Sequence, residues 1–187
     1  MRFNRSRRMR AFAAKWGGLV IAILVVIVLA VFGGIYLYAS TRVDATLNWV
    51  TQDYRILSFQ WVGMSTEQPL DAVYHLTISI NNNTDTPADI DITGAGLSLD
   101  ELRFEITGSA GWNGTVPANG FIVFEGDITL KPTDSQELEG RNVILEISGT
   151  VTANASYSFI EKEKSRPLLI STVGIIRPTI ASATIPG

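Results

Sequence analysis

Residues 72–80 read Ala-Val-Tyr-His-Leu-Thr-Ile-Ser-Ile. Ala72, Tyr74, Leu76, Ile78 and Ile80 form an apolar set, and the residues between them are mostly polar. Alternation with period two marks a strand that has one buried and one wet face. The same pattern recurs on both sides. Ile90 and Ile92 alternate with Asp89 and Asp91, and Leu102, Phe104 and Ile106 with Arg103, Glu105 and Thr107. Ile122, Phe124, Ile128 and Leu130 follow, then Val143, Leu145, Ile147 and Val151, then Tyr157 and Phe159, then 168–176. Turn chemistry separates these runs at 81–87, 94–96, 108–114, 117–120, 131–134 and 161–167. The pattern predicts an all-β, antiparallel two-sheet sandwich of about seven to nine strands. No segment after residue 42 reads as helical.

Upstream the chain changes character. Residues 17–39 (GGLVIAILVVIVLAVFGGIYLYA) carry no charge. As a helix this run is about 34 Å long, enough to cross a ~30 Å hydrocarbon core. Residues 1–16 carry Arg2, Arg5, Arg7, Arg8, Arg10 and Lys15 and no acidic residue. Basic residues beside a span are retained on the cytoplasmic side. The expected order is therefore a basic cytoplasmic tail at 1–16 and a transmembrane helix at 17–39. A connector at 40–53, a β-domain at 54–180 and a tail at 181–187 follow. This makes a single-pass protein of the cell membrane with its C-terminal domain outside, and the lipid bilayer its expected partner. Trp16, Tyr36 and Tyr38 sit at the edges of the run, where amphipathic rings meet headgroups. A cleaved signal peptide would have a shorter apolar region and a small-x-small cleavage site, which 36–40 lack. Gly18 with Ala22, and Ala30 with Gly34, have the four-residue spacing that lets two spans pack closely.

The chain's net charge of −3 conceals an asymmetry. Setting the six N-terminal basic residues aside leaves nine basic against 18 acidic residues for 41–187, a net of −9. An acidic outer domain argues against a nucleic-acid partner. There is no cysteine, so the domain is held by its core and not by disulfides. That suits a prokaryotic or archaeal envelope.

Several stretches resemble membrane-anchored members of the late embryogenesis abundant type 2 (LEA-2, water-stress/hypersensitive response) family. Tyr54 to Val62 precedes a strand ending Thr77-Ile78-Ser79-Ile80-Asn81-Asn82, similar to the family's apolar strand running into Asn-Pro-Asn. Thr115-Val116-Pro117-Ala118-Asn119-Gly120 is similar to its turn before a long strand, and Val173-Gly174-Ile175-Ile176-Arg177-Pro178 to its closing Gly-x-Ile-x-x-Pro. Asn82 stands where the family's Pro would be. The resemblance implies an immunoglobulin-like sandwich, no catalysis, no cofactor, and a stress-protective or envelope role. It assigns no functional residues.

Candidate sites are few. His75 is the only histidine and has no triad or zinc partner at recognisable spacing. Asp85, Asp89 and Asp91 with 81–83 make an oxygen-rich patch, although calcium needs six to eight converging oxygens, and no metal site is expected. Asn82, Asn113 and Asn154 each open an Asn-x-Ser/Thr acceptor pattern for N-glycosylation. The mixed-charge run 161–166 reads as a hairpin connection. Among the outer tryptophans, Trp61 fits the core, and Trp112, in a Gly-rich loop, reads first as a core or loop-anchoring residue, with an exposed contact to glycan or protein as the alternative.

With no catalytic constellation, the expected function is non-enzymatic. The chain reads as an anchored envelope protein presenting a sandwich outside the cell, stress-protective or a protein-interaction module. Two alternatives are a type IV pilin- or archaellin-like filament subunit and a cell-surface ligand-binding or adhesion module. Lys15-Trp16-Gly17 is a loose match to a filament subunit's processing site.

Overall fold

The computed structural model describes residues 4–65, 71–138 and 140–175, without the side chains of 4–15, 135–136 and 175. Readings that fall on 1–3, on 176–180 and on the tail 181–187 lie outside the described residues. The chain divides into two units, Met1–Thr41 and Arg42–Gly187.

The first unit is helical. Helix α1 spans Asn4–Val50, and from residue 16 to 38 its side chains are exposed all round. Mean hydropathy reaches 3.1 over an 18-residue window, so this helix is long and apolar enough to cross a membrane. Many of these residues are β-branched and weak helix formers in water. In hydrocarbon the helix is the state that satisfies every backbone amide within one segment.

In the second unit α1 continues through 42–50. Val43, Thr46, Leu47 and Val50 are all buried, at the spacing of one helix face. The segment expected as a connector is thus helical as far as Val50 and contributes to the core. Its short stripe merges with the apolar run before it, which hides where the stripe begins.

Among the described residues, eight strands follow in two antiparallel sheets. β1 (Tyr54–Met64), β2 (Ala72–Asn82) and β6 (Gly120–Leu130) form a three-stranded sheet in the order β1-β2-β6. β3 (Ala88–Leu99), β4 (Leu102–Glu105), β5 (Asn113–Val116), β7 (Asn142–Tyr157) and β8 (Ile160–Ile175) form the other, in the order β4-β3-β7-β8. β5 pairs the same edge of β3 as β4, nearer the start of the strand. The distribution is that of an immunoglobulin-like sandwich, with the first, second and fifth core strands against the third and the last two. The fourth position joins the latter sheet as the broken edge β4/β5. Leu76, Ile78, Ile80, Ile128 and Leu130 from one sheet and Leu97, Leu99, Ile147 and Leu168 from the other are fully buried. A short helix α2, Pro132–Leu138, occupies the run read as a turn; Pro132 is its first residue, where the missing N–H costs nothing.

Two sequence readings change here. The Gly-Ala-Gly at 94–96 is a bulge inside β3, not a turn. Thr93 pairs Thr150 and Gly96 pairs Ser148, so 94–95 oppose Gly149 alone. Gly94 takes φ +63, which a Cβ disfavours. The extra residue switches the inward set from Ile90 and Ile92 to Leu97 and Leu99. The charged run 161–166 lies within β8, pairing residues 151–156 of β7, and the hairpin turns instead at Ser158 with φ 60. Its alternating charges are the two faces of a strand.

Candidate functional site

One end of the sandwich is a polar knot around Asn82. The side chain is 2% exposed. Its Nδ2 donates to the carbonyl oxygens of Thr86 (2.8 Å) and Pro117 (3.2 Å). Its Oδ1 accepts from the Thr84 amide (3.1 Å) and the Thr84 hydroxyl (2.7 Å). The Asn119 amide, at a left-handed residue of the β5–β6 turn, donates to the Thr84 carbonyl at 2.7 Å. One amide side chain thus ties the β2–β3 loop to the β5–β6 turn. Both Nδ2 hydrogens are committed, so a sugar on Asn82 requires the knot to open.

The helix segment 42–50 clasps this same end. The hydroxyls of Thr46 and Thr84 lie 2.7 Å apart. Arg42 pairs with Asp85, and its guanidinium sits 5.0 Å from the centre of the Tyr157 ring. From the β7–β8 hairpin, Lys162 Nζ bonds both carboxylate oxygens of Asp44 (2.8 and 2.7 Å), and Lys164 donates to Asn48. Lys162 and Lys164 of the 161–166 run are therefore helix contacts.

The other sequence candidates are dispersed. Asn113 is exposed at the start of β5. Asn154 is half-buried on β7 and donates to Glu161 at 2.9 Å. Asp85 is engaged by Arg42, and Asp89 accepts from the Thr115 hydroxyl. Among the described residues no cluster of three or more His, Asp or Glu suits a metal ion. His75 Nδ1 lies 2.8 Å from Asp127 on the outer face of β2 and β6, with Glu125 at 3.9 Å.

Trp112 takes its core, loop-anchoring reading, whereas the core reading of Trp61 is overturned. Trp112 is 2% exposed. Its Nε1 donates to the Glu125 carbonyl at 2.7 Å, and its ring centre lies 6.0 Å from that of Phe124. The Ile92 amide of β3 donates to the Trp112 carbonyl at 2.8 Å, so one residue joins the two sheets. A Cβ on Gly126 would stand 2.5 Å from Ile106 and 3.1 Å from the indole. The glycine opens the slot into which this loop folds. Trp61, in contrast, is 41% exposed. It pairs with Tyr74 between two register shifts of the edge strand β1, at Ile56/Ser58 and Trp61/Gly63. Sequence reasoning also passed over Tyr54. Its hydroxyl is buried without a hydrogen-bond partner, and burial pushes its pKa up to about 12 against a smaller opposing pull from Arg166.

No family model and no curated protein matches the chain. Solved structures resemble it at low identity. A structural-genomics target determined by X-ray crystallography shares 13% identity at TM-score 0.40, covering 69% of this chain and 90% of that one. The solution structure of a protein assigned to the late embryogenesis abundant (LEA) class shares 9% at TM-score 0.30, covering 80% and 88%. AggA, the major subunit of aggregative adherence fimbriae type I from Escherichia coli, shares 12% at TM-score 0.28, covering 65% and 95%. At these scores none carries a functional argument.

Proposed function

We propose that this chain is a non-enzymatic, single-pass membrane protein that holds an immunoglobulin-like sandwich outside the cell on α1. The carrying observation is the uncharged stretch 17–39, apolar around its whole circumference and preceded by six basic residues. Positive charge keeps the N-terminus inside. The residue-level resemblance to LEA-2 proteins adds a stress-protective or protein-interaction role. One histidine, no cysteine and the absence of a recognisable catalytic pair in the sequence support a non-catalytic reading.

The absence of native cysteine makes the topology directly testable. In the host, a membrane-impermeant maleimide should label Ser171→Cys on intact cells and Ser6→Cys only after permeabilisation. The reverse pattern would overturn the orientation.

A second reading has its own observation. α1 is unbroken from the apolar stretch into the second unit, where 42–50 builds part of the core. A filament subunit of the pilin or archaellin kind uses such a helix for assembly. Mass spectrometry of the native N-terminus separates the two. An intact chain favours the anchor, and cleavage near Gly17 with assembly into long particles favours the filament.

A further inference from the structure

Where α1 ends and β1 begins, a cleft of about 450 Å³ is lined by Ala45, Asn48, Trp49, Gln52, Asp53 and Arg55. It lies entirely within the second unit and within the size range of small-ligand sites. Trp49 is 43% exposed, although it follows directly on a helix face that is otherwise buried. Neither the Trp49 indole nor the Gln52 amide has a hydrogen-bond partner among the described residues. Asn48 spends its oxygen on Lys164 and retains its NH₂ donors. Arg55 Nε and Asp53 Oδ1 lie 3.5 Å apart, so the lining carries both charges and no net charge.

We propose that this cleft binds the ring of a neutral saccharide. A pyranose has a C–H face and an equatorial rim of hydroxyls, each both donor and acceptor. The exposed indole supplies an apolar platform for the face. Around it, Gln52 offers a donor and an acceptor, Asn48 donors, Asp53 an acceptor and Arg55 a planar donor fork, which together match adjacent hydroxyls. Charge decides against the other common ligands of a tryptophan. A quaternary ammonium requires an uncompensated aromatic cage, and an anion requires basic excess; this lining offers one ring and a neutralised ion pair. The cleft is open to solvent on one side and offers a single ring, so we expect binding on the order of millimolar.

The test uses the full chain in phosphatidylcholine nanodiscs, free of glycolipid and of alkyl-glycoside detergent, with ¹⁵N-labelled indoles. The chain has four tryptophans, and Trp49→Phe identifies one of the four signals. Glucose, mannose, galactose and N-acetylglucosamine are each titrated to about 50 mM, with choline as a charged control. At least one sugar should shift the Trp49 signal saturably and leave those of Trp61 and Trp112 in place. Gln52→Ala should weaken that sugar about tenfold, and Trp49→Ala should abolish saturation transfer to its protons. Gln52→Ala leaves the indole and the core intact, so it carries the test if Trp49→Ala misfolds. No Trp49 shift with any of the four sugars, a shift with choline alone, or an affinity unchanged in Gln52→Ala would overturn the proposal.

Discussion

The side-chain amide of Asn82 donates to the main-chain oxygen of Pro117, 35 residues away, at 3.2 Å. Its other three bonds go to Thr84 and Thr86 in the adjoining loop. Removing the amide strands buried carbonyls and an amide, each worth about 1–3 kcal/mol when unsatisfied. We expect Asn82→Ala to destabilise the domain by about 2–4 kcal/mol in urea unfolding followed by tryptophan fluorescence. Asn113→Ala, at an exposed position, should stay within about 0.5 kcal/mol of the parent. Equal effects would show that the knot is not structural.

Leu47 is 2% exposed on the helix face that closes the sandwich end. Leu47→Ala should cost about 2–4 kcal/mol, the range for truncating a core leucine. The Asp44–Lys162 pair is half-exposed on the Asp44 side. A double-mutant cycle on it should give less than about 1 kcal/mol and fade with added salt. A large effect from the ion pair and none from Leu47 would mean that polar contacts, not burial, dock the segment.

Tyr54 carries a pH signature. Its folded pKa of about 12 lies above the ordinary value of 10.0, so between these values the folded state holds a proton that the unfolded state releases. Its contribution is fully present below pH 10 and is lost as pH rises toward 12. Discounted for the partial exposure of the ring, the loss is about 1 kcal/mol. Absorbance titration near 295 nm should show one tyrosine ionising late, and Tyr54→Phe should remove that step. Because the hydroxyl has no partner to lose, Tyr54→Phe should be neutral or slightly stabilising at pH 7.

Gly126 faces Ile106, the Thr107 carbonyl and the Trp112 ring with no room for a methyl group. Gly126→Ala should cost about 1–3 kcal/mol, the usual range for overpacking. It should also red-shift emission as Trp112 becomes wetter. An unchanged spectrum would mean that the loop yields without losing the indole.

The strand periodicity was readable wherever pairing stays in register. In β2 the inward set Tyr74, Leu76, Ile78 and Ile80 is the one the alternation marks. Reading failed where a long-range contact or a bulge decides the outcome. Gly94 looks like a turn because its left-handed φ is a turn conformation, yet β7 continues past it. For Trp112 the neighbouring glycines left an exposed placement open beside the core one; what buries it is the absence of a side chain at Gly126, fourteen residues on. The 42–50 stripe is too short to announce itself beside a longer apolar run. Of the candidate site, Trp49 was visible only as one tryptophan among several. Its exposure and its union with Gln52 and Arg55 depend on how the helix ends.

The pairing of β3 with β7 sets an order of events during synthesis. Ala88 pairs Ala155 and Leu99 pairs Leu145, so the central strand of the larger sheet acquires its inner partner more than forty residues after it is made. The three-stranded sheet can assemble once residue 130 is available, but β3 keeps an open hydrogen-bonding edge until β7 has emerged. The β7–β8 hairpin pairs residue for residue from Asn142 with Ile175 to Tyr157 with Ile160. Such local pairing forms quickly, whereas distant pairing waits on loop closure. The β7–β8 hairpin, translated after the other described strands, is thus the piece that completes the domain. A chain stalled before it presents an unpaired strand edge, the hallmark of aggregation and of proteolytic clearance.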